Sequence, residues 1–134
     1  MWQQGAEQVL DKATCKTRSK HMPELLASFA AGGGGERIQA VWRPVQVVLA
    51  RILDWMHSTS PPCWHFYSAS LLVVYEGMAQ SSEGLRVSCS LIDFAHSFFV
   101  DGRDKNFEEG LQSLLTLLER VTREEAGPIA EFRD

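Results

Sequence analysis

The chain has 134 residues, 45% of them hydrophobic and 22% charged, with a formal net charge of -4. That length and balance suit one domain with a packed core, and the acidic excess argues against nucleic acid as a partner. No apolar run approaches the roughly 18–20 residues of a membrane span, and three scattered cysteines, Cys15, Cys63 and Cys89, do not make a disulfide framework.

Residues 1–35 read as a polar N-terminal segment. It has no apolar secretory core, and Glu7 and Asp11 do not suit an organelle transit peptide. With reduced thiols, this gives an intracellular expectation, in cytoplasm, nucleus or both. Lys12, Lys16, Arg18 and Lys20 form a small basic cluster that reads as a solvated segment. A short helix is predicted over 23–31, with Pro23 at an allowed first-turn position. The tract from Gly32 to Gly35 should then break it as a loop. It lacks the Lys-Ser/Thr ending of a phosphate-binding P-loop.

Residues 36–124 hold the structured unit. Ile38, Val41, Trp42, Val45, Val48, Leu49, Ile52 and Trp55 recur at helical spacing. Pro44 interrupts them, which predicts a helix starting near Arg43 or kinked there. Trp42 and Trp55 are expected in the core. Pro61 and Pro62 cannot continue the helix, so it should end at 58–62.

Two strands follow, over 64–75 and 85–94, separated by a polar loop containing Gly77 and Gly84. The spacing predicts an antiparallel hairpin. Period two puts Ser68, Ser70 and Leu72 on one face. In the last helix Asn106 is the predicted cap, with Glu109 completing a box, and Phe107, Leu111, Leu114, Leu115 and Leu118 form the apolar stripe. Gly110 inside that helix suggests close packing against a neighbour. Residues 125–134 read as a disordered tail.

Chemistry gathers at the strand ends. Asp93 directly follows the apolar run Leu91-Ile92, and a carboxylate there is a natural ligand for a hard cation such as Mg²⁺. Such an ion takes one or two carboxylates plus phosphate oxygens from its substrate. The alternative for Asp93 is a structural carboxylate capping a turn. Cys63, His65, Cys89 and His96 match no common zinc spacing.

Three ordered segments carry a family likeness. His65-Phe66-Tyr67-Ser68-Ala69-Ser70-Leu71-Leu72, then Leu91-Ile92-Asp93-Phe94-Ala95-His96, then Asn106-Phe107 with Gly110-Leu111, make residues 42–121 resemble the inositol polyphosphate kinases, most of all the plant and algal multikinase branch. The resemblance implies an α+β fold, the C-terminal-lobe portion of a kinase-like architecture, with an antiparallel hairpin packed against helices. It also implies transfer of the γ-phosphoryl of ATP to a hydroxyl of an inositol polyphosphate. Asp93 would hold Mg²⁺, with Ser70 in support. Leu72 and Ile92 would floor the adenine site, and His96 would face the transferring phosphate or the acceptor. Sheet-core packing for Leu72 and Ile92, and a plain surface role for His96, stay open beside those roles.

Departures from the family pattern are as informative. The family's Pro-x-x-x-Asp-x-Lys-x-Gly segment and its N-terminal lobe are not found before Trp42, and Ala69 stands where many members have a serine. The expectation is therefore the C-terminal portion of a kinase, as a fragment, a truncated gene model or a degenerate copy. Basic residues are dispersed, so inositol polyphosphate binding by this piece alone should be weak, and the chain alone is expected to be inactive. The alternative function is a non-catalytic, kinase-like remnant that acts as an interaction protein.

Overall fold

The computed structural model describes residues 22–30 and 34–124. The basic cluster at residues 12–20, the first glycines of the Gly tract and the tail at 125–134 lie outside them. In chain order the elements are α1 (Met22–Ala30), α2 (Gly34–Ser58), β1 (Cys63–Phe66), β2 (Ser70–Tyr75), β3 (Val87–Ile92), β4 (Ser97–Val100) and α3 (Lys105–Glu124). The α+β expectation holds. Among the described residues no helix is long and apolar enough to cross a membrane.

The longest apolar stripe makes the longest helix. Ile38, Val41, Trp42, Val45, Leu49, Leu53 and Met56 are all buried along one side of α2. This corrects the expected start near Arg43: Gly34 and Gly35 belong to the first turn, and Pro44 lies inside the helix. A central proline costs about 3 kcal/mol through its lost N–H and ring clash. Pro44 is on the exposed side, and the flanking Val41, Trp42 and Val45 contribute roughly 1.5–3 kcal/mol each by burial. The stripe wins. Trp55 departs from the core expectation, being 46% exposed, because it falls on the solvent edge of that stripe.

Helix α1 docks through aromatic contacts. Trp42 Nε1 donates to the Leu26 carbonyl at 2.8 Å, and Tyr75 Oη donates to the Phe29 carbonyl at 2.6 Å. Phe29 sits between the Trp42 and Tyr75 rings, with centroids 5.4 and 5.2 Å away.

Leu111, Leu118 and Val121 of α3 complete the core against α2. The cap of α3 is Asp104, not Asn106. Asp104 Oδ1 accepts the Phe107 amide at 3.1 Å, while Asn106 is exposed and already inside the helix. Gly110 also departs from expectation. It is exposed, and a Cβ added there meets nothing within 4 Å among the described residues. Gly110→Ala should therefore stabilise the fold by about 1 kcal/mol, read as a higher urea midpoint at unchanged slope.

The predicted hairpin forms, but its strands are broken. β2 pairs antiparallel with β3, and β1 pairs antiparallel with β4, a strand the sequence did not announce. Phe66 faces Ser97 and Ser70 faces Ile92, so residues 67–69 on one side oppose residues 93–96 on the other. Three against four is a bulge-type irregularity, which bends a ribbon and re-aims its side chains. Each side passes it through one left-handed residue, Ser68 at φ 59° and Asp93 at φ 65°. Ser68 accordingly leaves the strand and does not share a pleat face with Ser70.

Candidate functional site

Period two sorts the β2–β3 hairpin into two faces. Leu71, Val73, Tyr75, Val87 and Cys89 pack on the helical core. Burial there pushes the Cys89 thiol up from its usual pKa and keeps it a poor nucleophile. Ser70, Leu72, Val74, Ser88, Ser90 and Ile92 form the outer, exposed face. Leu72 and Ile92 are 46% and 39% exposed. That overturns core packing as the account of these two side chains. They are an open apolar strip flanked by hydroxyls.

Asp93 stands at the end of that strip. It is exposed, immediately beyond Ile92, whose partner across the ladder is Ser70. The ladder thus puts Asp93 and Ser70 at the same end of the hairpin. A left-handed backbone suits Asp better than most side chains. His96 is exposed three residues on, closing the short 93–96 turn. The Ser97 amide donates to the Phe94 carbonyl at 3.1 Å, and the Tyr67 amide donates to the His96 carbonyl at 3.2 Å. Both bulge segments are therefore stitched together by backbone bonds.

Two further contacts hold the hairpin in place. Arg37 is 5% exposed and donates to the Ala79 carbonyl, tying α2 to the β2–β3 connection. At the loop end Arg86 donates to Glu76 Oε1 at 2.6 Å, and its guanidinium holds the Glu76 carboxyl below the ordinary range. Arg86 is exposed, so this pair contributes little to stability.

A cavity of about 380 Å³ opens at the other end of the β1–β4 ladder, among Trp55, Cys63, Trp64, Phe99, Arg103 and Glu108. Its charged groups already have partners. Arg103 Nη2 donates to Glu108 Oε1 at 2.6 Å and to the Met56 carbonyl at 3.3 Å. Asp93, Ser70 and His96 do not line it. All three are exposed.

Among the described residues no three His, Cys, Asp or Glu side chains stand together as a ready metal cage. A cation at Asp93 would take its remaining oxygens from water and a phosphorylated ligand, the arrangement that suits a magnesium-like ion.

A family model described as inositol polyphosphate kinase matches residues 1–119. The chain belongs to the inositol polyphosphate kinase family. A comparison with curated proteins found no match. The family match begins upstream of Trp42, where the recognisable motifs start, and takes in the hairpin, the 93–96 turn and most of α3. Inositol polyphosphate kinases phosphorylate inositol polyphosphates, and kinases as a class use ATP with a divalent metal.

Asp104 is the residue that sequence reading missed. It is 7% exposed, and Oδ2 accepts the Phe66 amide at 2.7 Å while Oδ1 caps α3. The signal was present, since Asp caps as well as Asn. Only the fold shows that its second oxygen meets a strand.

Proposed function

We propose that this inositol polyphosphate kinase chain supplies the metal- and nucleotide-holding part of a multikinase-type site centred on Asp93. What supports this reading is that Asp93 directly follows Ile92, the ladder partner of Ser70, at the end of an exposed apolar strip. The donor set fits a hard cation: a free carboxylate, a hydroxyl and open access for phosphate oxygens. When bound, Mg²⁺ with ATP would supply charge neutralisation on the transferring phosphoryl group. Asp93 holds that charge in register, and Ser70 orients water or phosphate oxygen beside it. Leu72 and Ile92 give the adenine a flat apolar floor. His96 reaches the transferring phosphate or the inositol acceptor.

Arg37, Arg86 and Arg103 are each engaged with protein acceptors, which leaves them unsuited to cradle a polyphosphate. Substrate affinity through these three side chains is accordingly low. A second reading takes support from the same open strip: apolar surface rimmed by serines also suits a protein partner, as in a remnant that has lost its chemistry.

Turnover decides between them. Supplied with ATP, Mg²⁺ and inositol trisphosphate or tetrakisphosphate, the chain alone should turn over little or nothing, and a version extended upstream should form a more highly phosphorylated product. His96→Ala should lower that rate by about tenfold or more, the worth of a contact to a charged phosphate, without changing nucleotide affinity. Absence of product from the extended version favours the interaction reading.

A further inference from the structure

We infer that Asp104 is a positioning residue, whose buried carboxylate clasps the end of β1 to the start of α3 and thereby fixes the 93–96 turn. The inference rests on the reading of that turn as the functional site. Helix capping alone needs one acceptor oxygen, and serine would serve equally well. Asp104 uses two. Oδ1 accepts the Phe107 amide of α3 at 3.1 Å, and Oδ2 accepts the Phe66 amide of β1 at 2.7 Å. Burying a carboxylate is costly unless its oxygens are satisfied, and here two backbone donors and the positive end of a helix do so.

Phe66 is the hub through which the clasp reaches the site. It is the last residue of β1, and its ladder partner Ser97 directly follows His96. The next amide, that of Tyr67, donates to the His96 carbonyl at 3.2 Å. The Phe66 ring lies against Phe94 inside the turn and Phe107 on the helix, with centroids 5.9 and 5.1 Å away. A bulge with left-handed residues on both strands has little ladder of its own to define it. Its geometry is set at the Phe66 end, and Asp104 holds that end. Sites of this kind need side chains held within about 0.5 Å of working geometry.

Two substitutions separate the clasp from the cap. Asp104→Ser retains a capping oxygen but is too short and too poor in acceptors to serve both amides. Asp104→Asn keeps one acceptor and turns a donor towards an N–H group. Val121→Ala, at the buried far end of α3, is the control for general loss of stability. The readout in the full chain is the amide exchange of Tyr67 and Ser97, each divided by that of Val45 in α2, with the resonance positions of Asp93 and His96.

In Asp104→Ser the ratio should rise about tenfold and the Asp93 and His96 signals should move, while helix content is unchanged. Val121→Ala should leave the ratio as in the wild type. Unchanged ratios and resonances in either Asp104 variant that folds overturn the inference. Metal binding does not enter this readout, so failure of Asp93 to hold a cation would show separately, in the Asp93→Asn comparison.

Discussion

Asp93→Asn is expected to lower phosphoryl transfer by at least about a hundredfold, the usual scale for removing one group that stabilises transition-state charge. The fold should not change. Asp93 is exposed at φ 65°, and Asn tolerates that left-handed backbone as well as Asp does. Thermal stability should stay within about 0.5 kcal/mol of wild type. This pairing of a large kinetic loss with an unmoved melting curve is what distinguishes a ligand from a turn cap. Asp93 as a mere cap would predict the reverse, a measurable stability loss with activity largely kept. Ser70→Ala should follow in the same direction with a smaller loss, because a hydroxyl orients but carries no charge.

The second large effect is on stability. Leu49→Ala should destabilise the fold by about 2–5 kcal/mol, from lost transfer energy and a residual cavity. Leu49 is fully buried at the middle of α2, with Leu118 of α3 equally buried in the same cluster. The inner face of the β2–β3 hairpin rests on that cluster through Leu71, Val73 and Cys89. A domain this size is held by only about 5–15 kcal/mol, so the melting midpoint should fall on the order of 10 °C. Val47→Ala, two residues away and 53% exposed, should move it little. Equal effects at the two positions would mean that α2 does not present its stripe to α3 and the hairpin as described.

Where periodicity was strong, the sequence was legible. The stripes of α2 and α3 and the pairing of β2 with β3 follow from helical and period-two patterns, and that pairing brings Ser70 opposite Ile92, one residue before Asp93. Exposure of the outer face was not legible, because Leu72, Val74 and Ile92 are as apolar as the core-facing Leu71, Val73 and Val87. Strand β4 was hidden by Phe98-Phe99-Val100, a run without alternation whose partner β1 lies more than thirty residues earlier. The break between β1 and β2 was hidden too, since the left-handed residue there is Ser68, where a glycine would have signalled it. Pro44 misled because a local penalty was read without the burial that outweighs it. Asp104 lost to Asn106 for a similar reason: both can cap, and only the Phe66 amide, 38 positions away, selects the first.

The most direct test is a titration with Mn²⁺, a paramagnetic stand-in for the native cation, in the presence of ATP. Free metal is followed by electron paramagnetic resonance in wild type and Asp93→Asn. If the acidic side chain at the end of β3 carries the ion, wild type should take up one Mn²⁺ per chain with the nucleotide, and the variant should bind at least about tenfold more weakly. Identical uptake by the two proteins, with both melting alike, would contradict the placement of the metal on Asp93.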